Sequence, residues 1–188
     1  MWARLESNTI KEILTRPKAL TIGGVQYPSN IFSMWTEAEL AVIGIVPVTV
    51  DTTNRKDQGY YTNTDITYAY DTETGKATGT YGTATAMSLN DTGSGASLVR
   101  GLKYRHKANI NPEAASLLQD TDWYTIREAE GGTAMPSNIK TWRAAVRTKA
   151  NAMQAQIEGV ANVDALAALY VYNDDTPPVR PLGEFPTL

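Results

Sequence analysis

Few residues in this chain are equipped for chemistry. Asp91-Thr92-Gly93-Ser94 matches the short active-site string of aspartic proteases, where two such loops bring two carboxylates together to share one proton. Only one copy exists, and the apolar strand expected ahead of it is the weaker Ala86-Met87-Ser88-Leu89-Asn90. A polar connection accounts for the string better, because Asn, Asp, Ser and Gly are turn formers. His106, the one histidine, lies between Arg105 and Lys107, and no Gly-x-Ser-x-Gly elbow surrounds a serine. A solvent-facing helical position is expected for it. The pairs Asp120/Asp122, Glu128/Glu130 and Asp174/Asp175 lack the glycine and ligand spacing of a calcium loop, and Gly93-x-Gly95 continues into neither a phosphate loop nor a dinucleotide fingerprint. With no cysteine, thiol nucleophiles, disulfides and Cys-based metal centres are excluded. The expectation is a non-enzymatic protein with no catalytic residue, no cofactor and no metal.

Two clusters suit recognition instead. Arg143 and Arg147, four apart beside Lys140 and Lys149, form a basic stripe able to grip phosphates or carboxylates. Pairing within the chain to Glu128 and Glu130 is the plainer reading. Tyr60, Tyr61, Tyr68, Tyr70 and Tyr81 could make a stacking platform for a sugar or base, but the core of a small sheet suits them better.

The composition sets outer bounds. At 188 residues, 42% of them hydrophobic, the chain can bury a core without a disulfide or metal staple, as one or two domains. Seventeen Lys+Arg against 20 Asp+Glu give a net charge of −3, without the clustered positive surface that nucleic acid requires. The longest apolar run, residues 40–48, is too short for a membrane span, and no charged and apolar leader stands at the amino end. A soluble protein made inside the cell, with no nucleic acid and no membrane partner, is expected.

The elements that must position these groups change character along the chain, from Thr, Tyr, Gly and Pro early to Ala, Leu, Arg and Gln late. Residues 2–14 read as a hairpin about Glu6-Ser7-Asn8, and residues 19–27 as two short strands about Gly23-Gly24. One short helix is marked by a capping box, Thr36 with Glu39, and ends at Gly44. Strands follow at 45–50, 64–70 and 78–86, with Ile66, Tyr68 and Tyr70 on one face. Residues 97–109 read as a helix that breaks or restarts at Asn111-Pro112. Ile139, Trp142, Val146, Ala150, Met153 and Ile157 form one stripe of a helix over 137–158, capped by Ser137. This stripe is expected to pack on Leu117, Leu118, Trp123 and Leu166, the last on a helix at 163–170. The fold class is therefore α+β: a small N-terminal β-rich docking module with one short helix (1–90), a linker (91–96), a helical module (97–172) and an extended Pro-rich arm (173–188). Pro177, Pro178, Pro181 and Pro186 stiffen that arm, while Val179, Leu182, Phe185 and Leu188 offer apolar anchors and Arg180 a charge to fix register. These five are the expected partner-binding residues.

Thr121-Asp122-Trp123-Tyr124, then Met135-Pro136, then Trp142-Arg143-Ala144-Ala145-Val146-Arg147 resemble a pattern of tailed-bacteriophage tail proteins: an Asp-Trp string, a Pro-led helix and an aromatic-Arg-x-x-aliphatic-Arg core. This part is similar to the carboxyl-terminal part of tail-fibre assembly proteins and, more closely, to structural proteins of marine and cyanobacterial phages. The amino end, Met1-Trp2-Ala3-Arg4-Leu5 with Trp35-Thr36-Glu37-Ala38-Glu39-Leu40, is similar to the start of many such proteins. The resemblance implies a bacteriophage virion structural protein of the tail, baseplate or fibre-attachment region, made in the host cytoplasm and docked in multiple copies on other tail, baseplate or fibre proteins. The alternative it implies is a tail-fibre assembly chaperone, from which the Tyr/Thr-rich middle and the Pro-rich arm depart.

Overall fold

At the amino end, alternating side chains and a tight turn produce a hairpin of β1 (Trp2–Glu6) and β2 (Thr9–Leu14). Ser7 and Asn8 between them take φ of 51° and 60°, the left-handed geometry that matches strand twist in two-residue hairpins. A second ribbon, β3 (Leu20–Ile22) with β4 (Val25–Tyr27), turns through Gly23 and Gly24. Two helices follow: a single turn, α1 (Ile31–Met34), which the sequence reading did not anticipate, and the expected α2 (Glu37–Val42). At α2 the Glu39 N–H donates to Thr36 Oγ1 at 3.3 Å and the Thr36 N–H donates to the Glu39 carboxylate at 2.8 Å, which completes the capping box. Gly44 then reverses the chain at φ 77°; a Cβ there would stand 2.9 Å from the Leu5 carbonyl oxygen. The same close approach lets the Leu5 N–H donate to the Gly44 carbonyl at 2.6 Å, where the β1–β2 register shifts.

β5 (Ile45–Asp51) leads through the two-residue β6 (Tyr61–Thr62) to the hairpin of β7 (Ile66–Asp71) and β8 (Lys76–Tyr81). The main sheet has the order β2-β1-β5-β8-β7, antiparallel except for the parallel β5–β8 pair. It curls until its outer strands β2 and β7 touch. One face buries Leu14, Leu20, Ile31, Leu40 and Ile45, joined by Trp2 and Phe32. The other buries Ala3, Val46 and Ala77 beneath Val48 and Tyr70. Adjacent Ile45 and Val46 thus serve opposite faces, as strand alternation dictates. The strand expected over 78–86 is interrupted, β8 ending at Tyr81 and a separate β9 (Thr85–Ala86) following.

The computed structural model describes residues 1–188, and the chain divides into two compact units, Met1–Thr85 and Ala86–Leu188. Residues 91–96, expected as a linker, therefore lie inside the second unit. Thr92 and Val99 exchange backbone hydrogen bonds of 2.9 and 2.8 Å, and Asp91 accepts the Gly101 N–H at 2.9 Å. These bonds occupy residues 97–101, so α3 (Leu102–Gln119) starts later than expected. It also runs through Pro112 without stopping. Pro112 and Ala108, whose carbonyl loses its helical donor, are both exposed, so water can replace that bond.

After α4 (Asp122–Ala129) come α5 (Ser137–Gly159) and α6 (Val163–Ala168). Pro136 rather than Ser137 occupies the cap position of α5, with no side-chain cap bond. α5 packs along α3 and buries Ile139, Val146, Ala150, Met153 and Ile157, as the stripe predicts. Trp142 is only half-buried, and the expected partners Leu117 and Trp123 face solvent. Trp123 stacks on Tyr124 at 3.8 Å, with the Arg127 guanidinium 4.8 Å from its ring centre. No helix is long and apolar enough to cross a membrane.

Tyr68 lies opposite Gly79 on the β7–β8 ladder, and a Cβ at residue 79 would come within 2.7 Å of the Tyr68 ring. Gly79→Ala should therefore lower stability by about 1–3 kcal/mol through overpacking. Ala69→Ser, on the exposed face of β7, should stay within about 0.5 kcal/mol of the parent. Denaturant titration of the two variants checks both.

Candidate docking surface

The chain that follows α6 is proline-rich, and proline brings no N–H for a ladder. Its anchoring must come from donors elsewhere, and α5 supplies two. Lys149 Nζ donates to the Leu182 carbonyl at 2.7 Å and Trp142 Nε1 donates to the Pro186 carbonyl at 2.8 Å. The Leu182 N–H adds a bond of 3.0 Å to the Leu169 carbonyl. Residues 173–179 close on themselves, the Asn173 N–H reaching the Val179 carbonyl at 2.9 Å and the Val179 N–H reaching Asn173 Oδ1 at 2.8 Å. The segment expected as an extended arm is folded back onto its own helices.

This folding sorts the expected anchors. Leu182 is 1% exposed and belongs to the core of its own unit, which corrects its assignment as a partner anchor. Phe185 is half-buried. Arg180 forms an ion pair with Glu184 at 2.7 Å and lies 5.4 Å from the Tyr172 ring centre, so its charge is already matched at home. Val179 and Leu188 do face outward. Val171, 64% exposed, and Tyr172 join Val179, Ala168 and Pro181 around a shallow groove of about 530 Å³. The sequence reading missed Val171 and Tyr172. Their signal was an adjacent apolar pair just past the last helix, with no polar alternation to turn one of them inward. Tyr172 donates its hydroxyl to Glu184 at 2.6 Å, and that bond, with burial behind it, holds the phenol above its ordinary pKa.

The other candidates prove structural. Arg143 is buried, donating through Nη1 to the Leu118 carbonyl at 2.8 Å and Thr121 Oγ1 at 2.5 Å, and through Nη2 to Asp122 at 2.7 Å. It is therefore no part of a solvated stripe, and its acidic partner is Asp122 rather than Glu128 or Glu130. The Asp91 carboxyl is held below the usual carboxylate range by the Gly101 N–H and then by Arg100, which ties the loop down. His106 is half-buried rather than solvent-facing, its ring 4.8 Å from Tyr170. Tyr61 is buried and Tyr60, Tyr68, Tyr70 and Tyr81 are partly buried, which fits a sheet core better than an open stacking platform. No three His, Asp or Glu side chains gather closely enough to hold a metal ion. No protein-family model, curated protein or solved structure matches the chain.

Two outcomes follow from these contacts. Arg143→Ala should cost about 1.5–3 kcal/mol, because three charge-assisted bonds of a buried guanidinium are lost, while exposed Arg147→Ala should be near neutral; urea midpoints measure both. Burial pushes the His106 imidazole below its ordinary pKa, so the folded protein binds a proton less readily than the unfolded chain. Stability should be full above about pH 6.5 and decline as pH falls below it, levelling off once the folded-state value is passed. His106→Gln should remove that slope.

Proposed function

We propose that this chain is a non-enzymatic structural component of a bacteriophage virion, in the tail, baseplate or fibre-attachment region, working by protein–protein docking. The observation that carries the docking reading is the outward apolar surface of Val171, Tyr172 and Val179, presented by a segment pinned at Leu182 and Pro186. A preformed surface of this kind loses less conformational entropy on association than a free arm would. The groups with chemical capability are engaged in holding the fold: Asp91 on Gly101 and Arg100, Arg143 on Thr121 and Asp122, His106 against Tyr170. The phage reading draws on the tail-protein resemblance. Its Asp122-Trp123 and Trp142-Arg143 strings, apart in the chain, meet through the Arg143–Asp122 ion pair, which supports treating them as one structural motif.

Mass spectrometry of purified particles separates this reading from the assembly-chaperone alternative. A structural component stays in the particle at fixed stoichiometry; a chaperone is lost on purification. The double variant Val171→Asp, Val179→Asp should fold normally and reduce incorporation about tenfold or more, as loss of a central apolar contact does. Normal incorporation of that variant would reject the groove as the docking surface.

A further inference from the structure

We propose that the cavity between α4 and α5 is a receptor for one carboxylate of a protein partner, an Asp or Glu side chain inserted from outside. The proposal rests on the docking reading and adds a site distinct from the apolar groove. Lys140, Arg143 and Arg147 recur along α5 at steps of three and four and so share one face. That face lines a cavity of about 210 Å³, walled on the other side by Thr125 and Glu128 of α4 and by Met135. The volume falls below the range typical of small-molecule pockets and suits a single side chain.

The three cations differ in how far they are satisfied. Arg143 is fixed and neutralised by Asp122. Lys140 stands 3.9 Å from Glu128 with its side chain 70% exposed, a loose contact. The Arg147 side chain has no hydrogen bond, ion pair or ring contact within the chain. Three cations against Asp122 and Glu128 leave one net positive charge, on a chain whose overall charge is −3. A monoanion restores neutrality. A phosphate dianion would overshoot it and face Glu128. Like charges four apart on a helix also repel, and Arg143 and Arg147 are such a pair; an anion between them removes that cost. The Arg147 guanidinium offers the forked donor pair that a carboxylate accepts, Lys140 adds a point charge on the same face, and Met135 provides an apolar wall for the side-chain methylenes.

The test uses the full chain with arginine side chains labelled for NMR, titrated with N-acetyl-glutamate-N-methylamide, its glutamine counterpart, or inorganic phosphate. The expected result is a saturable shift of the Arg147 Nε–H signal with the glutamate compound, no saturable shift with the glutamine compound, and weaker binding of phosphate. Arg147→Gln and Lys140→Gln, both at exposed positions, should each weaken glutamate binding about tenfold or more. Equal response to the glutamine compound, tighter phosphate binding, or unchanged affinity in Arg147→Gln overturns the proposal. The particle assay is independent of this one. A chain stoichiometric in virions that fails to bind the carboxylate rejects the cavity alone, and a chain that binds it but is absent from virions rejects the virion reading alone.

Discussion

The buried guanidinium of Arg143 is the contact on which the helical unit depends. A helix ends with carbonyls short of helical donors, and at the carboxyl end of α3 the Leu118 carbonyl accepts from the Thr121 N–H at 3.0 Å and from the Thr121 hydroxyl at 2.9 Å. Arg143 adds a charged donor to that same carbonyl, and its other N–H groups reach Thr121 and Asp122 at the start of α4. One side chain of α5 thus ties the end of α3 to the start of α4. It also lines the cavity between α4 and α5. Removing it would take away the three charge-assisted bonds that tie the end of α3 and the start of α4 to α5.

The same helix organises the carboxyl-terminal segment. Trp142 and Lys149, seven residues apart, lie on one side of α5 and point donors at two carbonyls of a backbone poor in donors of its own. The Leu182 side chain is buried in the core of the same unit. Leu182 and Pro186 are held, and in the chain between α6 and Leu182 the Val171, Tyr172 and Val179 side chains face outward. This segment is held by side-chain-to-backbone bonds and a few isolated backbone bonds, not by regular secondary structure.

The N-terminal unit follows a different economy. Its curled sheet has little volume inside, so small residues recur where strands approach: Ala3, Ala77 and Gly79, the last covered by the Tyr68 ring. The larger apolar residues gather on the opposite face, where α1, α2 and the β3–β4 ribbon cover them. Gly44 makes that arrangement possible, because only a residue without a Cβ allows α2 to turn into β5 so close to the Leu5 carbonyl.

Much of this was legible in short windows of sequence. The Ser7-Asn8 and Gly23-Gly24 turns, the Thr36–Glu39 capping box and the period of the α5 stripe are each decided by residues within one or two turns of one another. Such signals determined the α+β class and most element positions by themselves. What the sequence could not decide was which polar or apolar residue is enclosed, because enclosure depends on partners brought together from far along the chain. Arg143 reads as surface charge until Leu118, Thr121 and Asp122 are placed against it. Leu182 reads as a free anchor until Lys149 and Leu169 hold its backbone. Pro112 reads as a helix break until the exposed side of α3 shows that water can take the lost bond. Local backbone preference is a property of neighbouring residues, whereas burial and its hydrogen-bond demands belong to the assembled tertiary structure.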